Sequence, residues 1–332
     1  MNFHDFLEWI PIGITELGSG SGQKPVLVEA KADKTFYSTF IGDRCFRFLP
    51  FKEVRDACES LVKRKNNKTE GAKIWVCTAI EKCVQIKPNI WGIVDRDFPR
   101  KHDKRQDNPR LAITDASDLE TTAICVYPKS IKDFLDWFSK GKLGASYIDH
   151  CVLSAYCNSA KLFLIRTIVS RSFGKQKKLF SIAFYLTQTI NNSKDCYYLF
   201  KNANTDDCVL TIEDYFETQS RLLNDSEKRD LGTIKDKFIS EFKEDWASKK
   251  GIDKTPFLSE GDFKESLPRW RNCRGHDFFW FLERVLCIDH SQNLNKAYLD
   301  FVTKDGDWDS DSKAAFQKAY RYTDLFRKVS AF

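Results

Sequence analysis

Apolar residues along the first part of the chain fall into blocks of two kinds. Pro25-Val26-Leu27-Val28, Trp91-Gly92-Ile93-Val94 and Leu111-Ala112-Ile113-Thr114 are continuous runs of strand length. Runs of this kind mark strands covered on both faces, as in parallel sheets. They predict strands over residues 24–29, 90–94 and 111–114, with a further short extended piece at 46–49. Between the runs, apolar positions recur at helical spacing. Phe36, Tyr37 and Phe40 define a helix over 31–41, and Val54, Cys58, Leu61 and Val62 define one over 52–65. The polar stretch Lys65 to Gly71 ends that second helix, and another is predicted over 72–86. Ser117 is placed to cap a helix carrying Leu119, Ala123 and Ile124. Strand and helix alternate through residues 24–126, which predicts an α/β fold: a parallel sheet flanked by crossover helices.

After residue 130 the pattern becomes mostly helical, over 131–138, 148–172, 212–223, 233–246 and 278–288, with possible strand pieces at 180–186 and 208–212. There is no internal repeat. The expected organisation is an N-terminal segment and Gly/Ser linker (1–23), a catalytic α/β domain (24–128) and a mostly helical C-terminal domain (129–332). The linker Gly18-Ser19-Gly20-Ser21-Gly22 is not a phosphate loop. It precedes a strand and runs into Gln23-Lys24-Pro25, whereas a P-loop follows a strand and opens a helix with Gly-Lys-Ser/Thr.

Composition adjusts this picture little. The 332 residues suit about two domains at roughly 100–200 residues each. A formal charge of +6 permits a polyanionic partner without requiring one. Eleven cysteines, an odd number with no C-x-x-C pair, point to reduced thiols. His150, Cys151 and Cys157 lack the usual zinc spacings. Met1 to Trp9 has no basic region of a signal peptide, and no window offers about 18 uncharged apolar residues. The expectation is a cytoplasmic protein with no membrane association.

The chemistry lies just beyond the three runs. Glu29 succeeds the first, Asp95 and Asp97 the second, and Asp115, Asp118 and Glu120 the third. Sites in open α/β sheets form at the carboxyl ends of strands. Carboxylates gathered there repel each other unless a cation neutralises them. Mg²⁺, or Mn²⁺ in its place, takes oxygen ligands and leaves waters free for a phosphate substrate. Glu29 suits general-base or ligand work. Asp95 and Asp97, two apart, point to one side in extended backbone. Asp118 and Glu120, at a helix start, are candidates for a second ion. For each carboxylate taken singly, a loop or capping role is the alternative, and Asp118 beside a helix start favours the dipole in any case.

Basic residues accompany the acids. Arg96, Arg100, Lys101, Lys104, Arg105 and Arg110 come after the second run, and Arg171, Lys175, Lys177 and Lys178 form another group. Arg269-Trp270-Arg271-Asn272-Cys273-Arg274-Gly275-His276 interleaves arginines with a ring, which suits single-stranded RNA. Candidate substrate contacts are Lys31, Arg96, Arg100, Lys101, Arg271, Arg274 and His276. Arg271 and His276 also form R-x₄-H, the pattern of HEPN ribonucleases, which cleave without metal. His276 packing at a helix start is the structural alternative.

The ordered set Val-Leu-Val-Glu, Ile-Val-Asp-Arg-Asp and Asp-x-x-Asp-x-Glu resembles the TOPRIM superfamily, and within it the TOPRIM-like proteins related to OLD nucleases. The resemblance covers about residues 24–126 and one late motif, Gly275-His276-Asp277. It implies a small parallel sheet with Glu29 as catalytic glutamate, Asp95 and Asp97 as a metal-binding pair, and Asp33 in a supporting Glu-x-x-x-Asp position. The wording is nearest to a bacterial branch that includes the effectors of PARIS anti-phage systems. Those effectors act with an ABC-type (AriA-like) ATPase and are understood to cleave tRNA. The resemblance therefore implies a Mg²⁺-dependent endoribonuclease, toxic when released and silenced by an ATPase partner. A homodimer and a DNA substrate remain open. So does a catalytically degenerate TOPRIM acting as a regulatory or binding module. Ala30 stands where many TOPRIM proteins have Gly after the glutamate, and Phe98-Pro99 rather than Gly comes after the Asp-Arg-Asp pair.

Overall fold

The computed structural model describes residues 22–62, 72–86, 90–96, 104–168, 235–236, 239–240, 267, 270–286, 293–304 and 308–332. The three apolar runs and the short extended piece form one parallel sheet. Its strands are β1 (Lys24–Val28), β2 (Phe46–Pro50), β3 (Trp91–Val94) and β4 (Leu111–Ile113), in the order β2-β1-β3-β4. β1 lies centrally, pairing with β2 and β3, with Val26 opposite both Phe48 and Trp91. β3 in turn pairs with β4, Ile93 opposite Ala112. The helices α1 (Lys31–Phe40), α2 (Phe51–Val62) and α3 (Ala72–Ile86) fill the connections between β1, β2 and β3. The expected α/β architecture is therefore present.

Alternation of side chains across the pleat explains why the runs had to be apolar throughout. Leu27, Leu49, Val94, Leu111 and Ile113 bury one face against Phe51 and Val54 of α2 and Trp75, Val76, Ala79 and Ile80 of α3. Val26, Val28, Phe46, Phe48, Ile93 and Ala112 bury the opposite face in a larger core. That core takes in Phe36 and Tyr37 of α1 and the helices α4 (Leu119–Val126), α5 (Ser130–Ser139), α6 (Ala145–Ile168), α7 (Gly275–Val285), α8 (Leu294–Thr303), α9 (Ser310–Tyr320) and α10 (Asp324–Ser330). Aromatic side chains join the parts. The Phe40 ring lies 4.7 Å from that of Phe316 in α9, and Trp91 of β3 stacks on Phe332 at 5.9 Å. Among the described residues, one face of the sheet and the later helices thus share an apolar core.

Two predicted boundaries shift for local reasons. The cap of α4 is Asp118 rather than Ser117. Asp118 accepts from the Thr121 main chain, while the Ser117 hydroxyl donates to the Arg271 carbonyl 3.0 Å away. The helix expected from residue 278 begins at Gly275, because Asp118 also accepts from the Gly275 N–H and so supports an earlier first turn. The strand pieces at 180–186 and 208–212 and the helix at 212–223 lie outside the described residues, as does most of 233–246. Among the described residues, no helix is long and apolar enough to cross a membrane.

Gly92 marks a close helix–sheet approach. A Cβ there would stand 2.9 Å from Ile80 Cγ1 and 3.1 Å from Val76 Cγ1 of α3. Gly92→Val is expected to push α3 off β3 and cost about 1–3 kcal/mol, as overpacking a filled core does. Urea or thermal unfolding measures this directly.

Candidate metal centre

Parallel pairing of β1 with β3 places the two strand ends side by side at one edge of the sheet. Glu29 and Asp95 come directly after those ends, so residues 66 positions apart meet. The Asp95 main-chain N–H donates to Glu29 Oε1 at 2.8 Å. Asp33, on the first turn of α1, turns back so that its Oδ2 accepts from Ala30 N–H at 2.8 Å. Lys73, near the start of α3, brings its ammonium to 3.8 Å from Glu29 Oε1.

The β4 end divides its three acids between two tasks. Asp115 is buried and accepts from the N–H groups of Asp324 and Leu325, at 2.9 and 3.1 Å, so it fixes the start of α10. It is a structural residue here. Asp118 Oδ1 accepts from the N–H and hydroxyl of Thr121, at 3.0 and 2.7 Å, and Oδ2 accepts from Gly275 N–H at 2.7 Å. One carboxylate therefore serves the first turns of both α4 and α7, where N–H groups lack helical partners and the dipole favours negative charge. Glu120 is buried on the first turn of α4 and is hydrogen-bonded by the side chain of Asn295 from α8. His276, exposed on the first turn of α7, comes close: Asp118, Glu120 and His276 each offer a ligand atom within 4.8 Å of the others.

The late Gly-His-Asp motif now has a physical reading. A Cβ at Gly275 would lie 2.6 Å from the Glu120 Cβ and 2.8 Å from Asp118 Oδ1. Only the absence of a side chain lets α7 approach α4 closely enough to deliver His276 to the two acids.

The carboxylates act on one another. Burial, and then the charges of Glu29, Asp33 and Asp118, push the Asp95 carboxyl well above its ordinary range, with Lys73 opposing them. Burial raises Asp33 to about 7, against its bond from Ala30 and helped by the charges of Glu29 and Glu120. Burial and the neighbouring Asp118 raise Glu120 to about 8. Asp33 and Asp95 nonetheless keep part of their surface open to solvent, so the cluster is both desolvated and approachable. The charges of Glu29, Asp118 and Glu120 thus bear on Asp33, Asp95 or one another along the sheet edge. Oxygen donors of this kind suit Mg²⁺ or Mn²⁺, whereas the imidazole of His276 suits a transition metal such as Mn²⁺ better than Mg²⁺.

The basic candidates take varied places. Lys31 is exposed on the first turn of α1. Arg96 turns toward β4, its N–H donating to Thr114 Oγ1 at 2.9 Å and its Nε to the Thr114 carbonyl at 3.0 Å. Arg105 donates to the carbonyls of Asp95 and Arg96, at 3.3 and 3.0 Å, and so pins the turn that carries the acids. Arg271 Nε donates to the Asp115 carbonyl at 3.0 Å, while His276 sits by Asp118 and Glu120, so the two ends of R-x₄-H address different groups. The charge of Arg274, just before α7, bears on Glu120. Asp97, Arg100 and Lys101 lie outside the described residues.

Sequence reasoning did not single out Lys73 or Asn295. Lys73 carried a signal, since a cation in the first turn of a helix opposes the dipole. Asn295 carried none, being one polar residue on an amphipathic helix. Comparison with family models, with curated proteins and with solved structures finds no match, so the reading of this site rests on its own residues.

This geometry sets two expectations. Gly275→Ala should lower stability by about 1–3 kcal/mol, because α7 must move off α4, and denaturant unfolding measures the loss. The raised acids set a pH dependence in chelator. Their folded-state values, about 7 for Asp33 and about 8 for Glu120, exceed the unfolded range near 4. The folded form therefore holds its protons more tightly, and this support is complete below about pH 4. It is lost as the pH rises through 7 and 8, so the contribution of these groups should fall from pH 5.5 to 8.5. Urea titrations of wild type and an Asp33→Asn, Glu120→Gln variant across that range check the sign: the variant should show the shallower fall.

Proposed function

We propose that this chain is a metal-dependent TOPRIM-like nuclease that cleaves RNA, with tRNA the sharpest choice. In this reading it is a toxic effector of anti-phage defence, similar to AriB of the PARIS system and silenced by an AriA-like ABC-type ATPase. One observation carries the nuclease reading. Glu29 Oε1, at the end of β1, accepts from the main-chain N–H of Asp95, at the end of the adjacent parallel strand β3, beside buried carboxylates whose charges act on one another. A protein gains nothing in stability from gathering unneutralised acids. A divalent cation would resolve the conflict, and among the described residues Asp118, Glu120 and His276 are the group of three whose ligand atoms come within 4.8 Å of one another.

Glu29, Asp95 and Asp97 would hold the first ion, and Glu120, Asp118 and His276 a second. When bound, such ions activate water and neutralise the leaving oxygen of a phosphodiester. The protein's own groups prepare for this. The Asp95 N–H orients Glu29, and Arg105 fixes the backbone that carries Asp95. Asp118 has both oxygens engaged by Thr121 and Gly275, so its main work is to dock α7, leaving Glu120 as the stronger donor of the pair. Arg271 and Arg274 lie in the segment leading into α7, beside the acids, in line with a polyanionic substrate.

Purified protein incubated with total RNA and with plasmid DNA, with and without Mg²⁺, tests the proposal. RNA cleavage should require Mg²⁺ or Mn²⁺ and stop in EDTA. Glu29→Ala should reduce it by about 10² or more while leaving the fold intact, on the scale of losing a key electrostatic group. Cleavage that survives both EDTA and Glu29→Ala but stops in His276→Ala would sink the metal mechanism in favour of a metal-free one. DNA cleavage alone would overturn the choice of RNA.

A further inference from the structure

We infer that the entry edge of the sheet, where β1, β3 and β4 begin, docks the phosphate backbone of a folded RNA. The inference rests on the RNA reading and extends it to a surface remote from the acids. Parallel pairing gathers the strand starts at one edge just as it gathers the strand ends at the other. Lys24 opens β1, Trp91 opens β3, and Arg110 comes directly before β4. Pleat alternation puts these three side chains on one face, because Val26, Ile93 and Ala112, two positions on, all lie in the larger core. The half-buried Trp91 ring serves both cations: Lys24 Nζ stands 5.6 Å from its centroid and the Arg110 guanidinium carbon 5.8 Å. Lys328 of α10 adds a third charge, its ammonium donating to the Asn108 carbonyl at 3.0 Å, two residues before Arg110.

These charges are held in place but not neutralised. Among the described residues, no carboxylate forms an ion pair with Lys24, Arg110 or Lys328, the exposed Asp43 and Asp107 of neighbouring turns included. Lys24 and Lys328 each give one of three N–H donors to a main-chain oxygen, that of Phe332 and that of Asn108. A carboxylate at Phe332 would offset one charge and leave two. Arg110 Nη1 meets no acceptor, so the guanidinium gives up no hydrogen bond there by turning to a phosphate. Burial pushes the Lys328 ammonium below its ordinary range, as expected of a cation with little water and no acid beside it. Neighbouring strands lie about 4.8 Å apart, so Lys24 and Arg110 stand roughly 10 Å apart across β3, a span that phosphates of one backbone can bridge. From Lys24 to Glu29 the chain rises five residues, or about 17 Å. A dinucleotide is too short to hold both edges, whereas a folded RNA of tRNA size reaches them together. Contacts of this kind fix position without reading sequence.

The full-length protein tests this. Binding of fluorescein-labelled tRNA would be followed by anisotropy from about 50 to 200 mM salt, with Ca²⁺ replacing Mg²⁺. The patch variant is Lys24→Gln, Arg110→Gln, Lys328→Gln. A charge-keeping variant is Lys24→Arg, Arg110→Lys, Lys328→Arg. A control of equal charge change, Lys129→Gln, Lys132→Gln, Lys304→Gln, removes cations that are paired with acids elsewhere. The patch variant should bind roughly tenfold more weakly or worse, with a log K against log salt slope shallower by about 2 to 3. The charge-keeping variant should bind like wild type, which separates lost charge from lost folding, and the control should keep the wild-type slope. Affinity and slope unchanged in the patch variant, or lowered equally in the control, would overturn the inference, and so would wild type that does not bind tRNA. Wild type that binds tRNA through this patch, yet cleaves neither RNA nor DNA in Mg²⁺, would refute the nuclease reading while the docking surface stands.

Discussion

The carboxylate of Asp118 holds the site to the fold. It satisfies N–H groups at the start of α4, beside the sheet edge, and at the start of α7, in the later helices. Through α7 it sets the position of His276 and closes one wall of the larger core, where Phe278, Phe279 and Leu282 are buried. Replacing both bonds by water contacts is not an option in a pocket this closed: Asp118 is only 2% exposed. A buried acceptor with two helices depending on it fixes their relative geometry more firmly than apolar contacts alone would, because hydrogen bonds are directional and apolar contacts are not.

Around this anchor the acids divide by how they are satisfied. Asp115 is answered by the N–H groups of α10 and is effectively part of the scaffold. Asp118 is answered by Thr121 and Gly275. Asp33, Asp95 and Glu120 are raised by burial and by neighbouring acids, and Asp33 and Asp95 keep part of their surface open at the end of the sheet.

Much of this was legible in the sequence, for definable reasons. Continuous apolar runs such as Val26-Leu27-Val28 read as two-faced parallel strands because both faces are in fact covered. The spacing of Phe36, Tyr37 and Phe40 marked α1, since those side chains meet Phe48, Phe316 and Tyr320. The meeting of Glu29 with Asp95 came from strand ends lying together in a parallel sheet. Long-range partners were not legible. Nothing in the wording of Asp115 says that it will cap a helix some 209 positions later. Ser117 looked the better cap because local pattern cannot show that Asp118 has a second donor in Gly275. Lys73 was overlooked because helical periodicity is read from apolar positions, and the meaning of a first-turn lysine appears only once its acidic neighbours are in place.

The raised affinities of Asp33 and Glu120 for protons reach beyond the fold. Both groups hold protons over much of the neutral range, near 7 and near 8. Were a divalent cation bound by these oxygens in ionised form, it would displace their protons, and uptake of metal and release of hydrogen ions would become a single equilibrium. Acidification would then compete with the metal, and alkalinity would favour it. The edge of the sheet would report the proton activity of its surroundings as well as the supply of metal.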